Sequence, residues 1–367
     1  EAARLAMVLW REKLGMPARA ERAVAKLLAE APDDAEAIDV ALESPFDPAV
    51  KRAILARSRE VLVKAVQMNP TDVDTVARLA GVAKALGELP LRQAALGATI
   101  ALGRLVPASD TELGELDARV ATTPQVALDE TAFKRIADPE DNGPIARLFE
   151  LIAVPVGEAL GPSLAALGVG RKDRLDPRGG FPVRNEVAAW AGALGLPEID
   201  VYIGGQDPEL VQGVAGDTPA IVLGTAVRAP LHPRHRQAIA RELFALRRGI
   251  TVVRTRDEAT VAALVVAACH IADVAIDAPP YAILPDIQRQ LAKTLPRKTR
   301  KLLPDVCREI VASGQDPKRW ARAALLSLHR MATIAAGDVS LVLADWLGQP
   351  RHQLSVARHE RARRLIA

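Results

Sequence analysis

The sequence predicts a mostly α-helical chain: an array of helical repeats, then a mainly helical domain with a small sheet of two or three strands. Three observations predict it. The 367 residues are 49% hydrophobic but only 3% aromatic, and rich in Ala and Leu. That mix suits small, closely packed helices and not a sandwich or barrel. A Pro followed by an Asp-rich turn ends a helix-period stretch at Pro32 and again at Pro70. Strand-like patterning is confined to two short stretches, the alternating 199–203 and the compact apolar run 220–224.

The first helix is expected from about Ala2 to Leu14, with Leu5, Leu9 and Trp10 among its apolar positions. Gly15 sits at the inter-helix turn, where a residue free of Cβ strain is wanted. A second helix follows, with Ala20 at the close approach and Val24, Leu27 and Leu28 on the inner face. Ala31-Pro32-Asp33-Asp34 stops it, because Pro cannot continue a helix and Asp caps the next one. The ending recurs at Asn69-Pro70-Thr71-Asp72. The Pro32-to-Pro70 spacing is 38 residues, so the second unit holds an insertion near Ser44-Pro45-Phe46-Asp47-Pro48. A third unit starts near Asp72, turns at Gly87-Glu88 and fades by Pro107.

On these residues, the segment 1–106 resembles the tetratricopeptide repeat family. The resemblance implies stacked helical hairpins, since one unit cannot bury its apolar face alone. It also implies a curved surface that grips a protein partner, or the chain's own second domain. An ordinary helical bundle of the same period is the plainer alternative. The chain lacks an initiator Met and ends within a helical pattern at Arg363-Arg364-Leu365-Ile366-Ala367. It therefore reads as cut from a longer protein at both ends.

Residues 107–130 are expected to be a linker, and 131–367 the second domain. Helices are expected near Thr131, at Ile145–Leu160 and at Asn185–Leu194. The strands Ile199–Ile203 and Ala220–Gly224 follow, separated by a loop rich in Gly, Asp and Pro. A long helix covers about Pro233 to Arg248. Further helices are expected at 256–275, 285–294, 298–313, 316–336, 339–347 and from 354 onward.

This order of strand, loop, strand and helix resembles the core of zinc metallopeptidases of the HtpX and CAAX-prenyl-protease type. In that family the helix carries HExxH: two histidines one turn apart bind zinc and the Glu activates water. Here the stretch reads Arg241-Glu242-Leu243-Phe244-Ala245. Glu242 falls at the catalytic Glu, and Arg241 and Ala245 at the two histidines. Leu325 falls where a later helix supplies the third ligand. The resemblance covers roughly 130–350 and implies a degenerate, ligand-free zincin-like domain. The whole layout is similar to bacterial proteins in which tetratricopeptide repeats precede such a domain. Without metal, Glu242 is a carboxylate that Arg241 or Arg247 could pair.

Six histidines are present, at 232, 235, 270, 329, 352 and 359. A metal site rebuilt from His232, His235 and His329 would need the fold to bring them together. Solvent-exposed or core histidines are the plainer reading. Cys269 and Cys307 lie in apolar helical patterns and read as buried reduced thiols. No cofactor is expected, as neither the dinucleotide fingerprint nor the phosphate loop occurs.

Charge is nearly balanced, with 48 basic and 45 acidic residues. Residues 1–125 hold 16 basic and 18 acidic groups, the remainder 32 and 27. That asymmetry does not point to nucleic acid. No apolar run reaches the roughly 18–20 residues of a membrane span, and a cytoplasmic location is expected. The run Lys293, Arg297, Lys298, Arg300 and Lys301 concentrates five cations in nine residues.

Three functional readings follow. The first is a non-enzymatic scaffold that binds a protein partner through its repeats. The second is a hydrolase using Glu242 with an unconventional metal site. The third is an adaptor to an anionic surface through the 293–301 run.

Overall fold

The computed structural model describes residues 2–10, 15–104, 109–120, 123–124, 126–196, 198–354 and 363–365. The chain is mostly helical, with one small sheet. It forms two compact units, Glu1–Val120 together with Ala336–Ala367, and Ala121–Ala335. Residues 336–367 therefore group with the N-terminal helices, where the sequence assigned them to the second domain.

In the first unit α1 (Ala2–Val8) and α2 (Pro17–Glu30) form one hairpin. α3 (Ala35–Glu43) with α4 (Pro48–Met68), and α5 (Val73–Leu86) with α6 (Leu89–Ala101), form two more. α2 packs on α4 and α3 on α5, so equivalent helices of successive hairpins are neighbours. The starts of α3 and α5 are each fixed by an Asp. Asp34 accepts the Ala37 N–H at 3.0 Å, and Asp72 accepts the Asp74 N–H at 3.1 Å and the Thr75 hydroxyl at 2.7 Å. Such caps contribute about 1 kcal/mol each. Gly87, at φ 75°, ends α5 in the left-handed conformation.

The extra residues of the second hairpin are not a loose insertion. Phe46 is 6% exposed and sits in the core with Val24, Leu28, Ile38 and Leu55. Asp47 then caps α4 through the Ala49 N–H at 2.8 Å. In α1 it is Met7 that is fully buried, while Leu5, and Leu9 just past the end of the helix, are exposed.

The expected linker contains a helix, α7 (Ser109–Asp117). Leu113 and Leu116, three residues apart on one face, bury against Leu96 and Ile100 of α6. Its polar composition and Gly114 hid this stripe. A second neighbour of α6 is the C-terminal α17 (Val339–Leu347). Asp338 caps it, accepting the Ser340 N–H at 2.8 Å and the Ser340 hydroxyl at 2.6 Å. Asp338 also pairs with Arg351 at 2.6 Å. Gly97 makes the approach possible, because a Cβ there would collide with the Asp338 carboxylate.

The second unit begins with α8 (Glu130–Ile136), α9 (Gly143–Leu160) and α10 (Pro182–Ala193). The sheet has three strands, β1 (Asp200–Ile203), β2 (Val211–Val214) and β3 (Ala220–Leu223), in the order β1-β3-β2. β1 runs parallel to β3, and β2 antiparallel to it, with Gly213 opposite Ile221. β2 occupies the stretch read as loop. Four residues with a central Gly, set among Gly and Asp, give no alternation to see.

α11 (Pro233–Arg247) packs on β2. The segment 256–275, expected as one helix, is preceded by the short α12 (Thr251–Thr255) and begins as α13 (Glu258–Ile271). Asp257 stands between them and caps α13 through the Thr260 N–H at 2.8 Å. α13 is buried continuously from Thr260 to Cys269, the pattern of a central helix. Around it lie α14 (Leu284–Thr294), α15 (Arg297–Ser313) and α16 (Pro317–Ala336). Phe149 of α9 stacks on Trp320 of α16 at 4.7 Å. The helix expected from 354 onward falls mostly outside the described residues; 363–365 are helical.

Candidate functional site

α11 starts at Pro233, whose missing N–H costs nothing at a first helical position. Two turns on, Glu242 is fully buried. Its Oε2 accepts the Gly213 backbone N–H at 2.9 Å and the Gln212 side-chain amide at 3.4 Å. Its Oε1 pairs with the Arg254 guanidinium of α12. Arg254 also donates to Gln212 Oε1, so Glu242, Gln212 and Arg254 close a ring. Burial pushes the Glu242 carboxyl above its ordinary range, and Arg254 and then Arg241 pull it back down.

Gly213 permits the close approach. A Cβ there would stand 3.1 Å from Glu242 Oε2 and 3.2 Å from the Leu246 side chain. A donor on β2 that faces away from β3 is satisfied by a carboxylate from the helix below. Glu242 thus fastens α11 to the strand.

The later helix brings His329, not only Leu325, into account. His329 is 5% exposed, and its pKa is lowered to about 3 by burial and then by the Arg241 charge. It lies one turn beyond Leu325. Leu325 is half-buried and lines a trough of about 470 Å³ with Val253, Arg256, Glu258, Lys318 and Arg322.

The other expected candidates have local roles. His232 caps α11, its Nδ1 accepting the Arg234 N–H at 3.2 Å. His235 Nε2 lies 2.6 Å from Glu209 Oε2. The two rings are 6.2 Å apart, edge to face. No group of three His, Cys, Asp or Glu side chains is arranged to hold a metal among the described residues. Cys269 and Cys307 are fully buried. Their mutual hydrogen bond and burial push the Cys307 thiol up, which disfavours the thiolate.

These residues do not fit a catalytic zinc. Zinc needs neutral imidazoles or anionic donors around an open position. Here Arg241 and Ala245 hold the two expected ligand positions. The carboxylate that would activate water is already bound to a guanidinium and a backbone N–H.

Reasoning from sequence missed Arg254, Gln212 and Gly213. Arg254 sits in Thr251-Val252-Val253-Arg254-Thr255. A single cation in a short β-branched stretch was the one available signal.

No protein-family model, curated protein or solved structure matches this chain. No helix among the described residues is long and apolar enough to cross a membrane.

Proposed function

We propose that this chain is a non-enzymatic interaction protein. Its tetratricopeptide-like hairpins bind a protein partner, and its second unit is a peptidase-like scaffold without zinc ligands. One observation carries the reading: Glu242 is fully buried, ion-paired with Arg254 and hydrogen-bonded to Gly213. A general base must reach a water or substrate proton at about 2.6–3.2 Å. A carboxylate enclosed in this way has its oxygens committed to the fold.

The first unit supplies a surface for the partner. A groove of about 200 Å³ between α5, α6 and α7 is lined by Ala80, Gly81, Lys84, Arg92 and Glu112. Arg92 and Glu112 pair with each other across it, which leaves Lys84 and the small residues Ala77, Ala80 and Gly81 to meet a peptide segment.

The test uses the full chain. Partners captured from the source cell are expected to be retained by Glu242→Gln and lost by Ala80→Arg, which fills the groove. Stoichiometric zinc by elemental analysis, with peptide hydrolysis abolished by Glu242→Gln, would overturn the reading in favour of a hydrolase.

A further inference from the structure

Many cations of the second unit are matched by acids. Arg147 pairs with Glu309, Arg174 with Asp200, Arg248 with Asp141, and Arg322 with Glu258. The corner where α14 hands over to α15 differs. Lys293 lies in the last turn of α14, and Arg297, Lys298 and Lys301 in the first turns of α15. All four are exposed, and none has an ion pair or hydrogen bond among the described residues. The nearest acids along the two helices, Asp286 and Asp305, are already matched by Arg289 and Arg308.

Arg297 and Lys298 do not serve the helix that bears them, whereas Lys293, in the last turn of α14, complements the negative end of its own helix. The N-terminal end of a helix is its positive end, so it favours acids and disfavours Lys and Arg. α15 has no acid in its first turn, and Pro296 provides no side-chain cap. Arg300 is used differently. Its guanidinium donates to the Leu295 carbonyl at 3.2 Å and to the Ala292 carbonyl, which holds the corner closed. The remaining four form an exposed positive patch without an ion pair among the described residues.

The chemistry around the patch selects the partner. Leu302 is 48% exposed, beside Lys301 and one helical turn from Lys298. No aromatic residue occurs between Tyr281 and Trp320. Surfaces that bind single-stranded nucleic acid add aromatic platforms for the bases. An anionic bilayer asks instead for Lys and Arg at headgroup level and an aliphatic tip beneath them, with the lysine stems lying along the interface.

We propose that the α14–α15 corner docks this protein reversibly on an anionic phospholipid surface. Lys293, Arg297, Lys298 and Lys301 meet the headgroups, and Leu302 enters the interface. With one leucine and four cations, binding is weak and sensitive to salt.

Co-sedimentation of the full chain with vesicles tests this. Binding is expected to phosphatidylserine–phosphatidylcholine vesicles and not to phosphatidylcholine alone, and to fall as salt rises. Each cation near such a surface is worth roughly fivefold in partitioning. Lys298→Glu with Lys301→Glu should therefore weaken binding by more than about twentyfold, and Leu302→Ser by a few-fold. The acidic substitutions suit the helix end, so circular dichroism should show them folded. Arg297→Gln with Lys293→Gln gives a second, milder pair. The proposal is overturned by absence of binding to the anionic vesicles, by equal binding to neutral ones, or by folded variants that bind undiminished. Tighter, salt-dependent binding to duplex DNA in place of vesicles also overturns it.

Discussion

Glu242 on α11 accepts the backbone N–H of Gly213 on β2 at 2.9 Å. The bond joins a helix residue that the sequence singles out as a candidate base to a strand that the sequence hid. Four predictions extend from this contact and from the others described above.

Glu242→Gln keeps an acceptor for the Gly213 N–H but removes the charge facing Arg254, whose side chain is 23% exposed. Losing one partner of a buried ion pair costs about 3–5 kcal/mol, and less where water reaches the other. A loss of about 2–3 kcal/mol in urea denaturation is expected. Arg254→Met added to Glu242→Gln should recover part of that loss, because no orphan guanidinium remains.

His329 makes stability acid-sensitive. Its pKa is about 3 in the folded chain against an ordinary 6.5. The folded state therefore binds fewer protons, and the group's contribution is complete above pH 6.5. It is lost progressively as pH falls from about 6.5 toward 3. Between pH 6.5 and 4.5 that amounts to about 2 kcal/mol. His329→Gln should flatten the decline over this window, measured as urea midpoints at pH 7 and pH 4.5. An unchanged slope would remove His329 as its source.

Gly97→Ala places a methyl group against the Asp338 carboxylate. Overpacking of a closed contact costs about 1–3 kcal/mol. Asp338→Ala removes the α17 cap and the Arg351 pair, with a loss of about 2 kcal/mol expected. Both should release α17 from α6, which limited proteolysis would detect as early cleavage after residue 336.

Phe46→Ala tests whether the longer second hairpin is built on its insertion. Removing a buried Phe costs about 3–5 kcal/mol. A change within about 0.5 kcal/mol would instead mark 44–48 as a surface loop.

The sequence revealed most of the helices, because Pro, Asp and Gly punctuate them: Pro32 and Asp34, Pro70 and Asp72, Gly87, and Pro233. It also revealed β1 and β3, whose alternation or apolar runs stand alone. It did not reveal β2, where Val211 to Val214 has too few residues for a period and a glycine at its centre. Nor did it reveal α7, where two leucines three apart are diluted by acids. The candidate site was half legible. Glu242 was found by its place in a pattern. Gln212, Gly213 and Arg254 act through distance in space, and no local spacing reports that.

The return of α17 to α6 has a consequence for biosynthesis. The first unit is discontinuous, with the 215 residues of Ala121–Ala335 inserted between its parts. A ribosome releases the hairpins α1 to α6 early, but the helix that packs on α6 only after the whole inserted unit has been made. During that interval the α6 surface around Gly97 stays open, so assembly of this unit waits on synthesis of the other. A fragment ending at residue 120 lacks that closing helix, and any protein captured by such a fragment could be occupying its place.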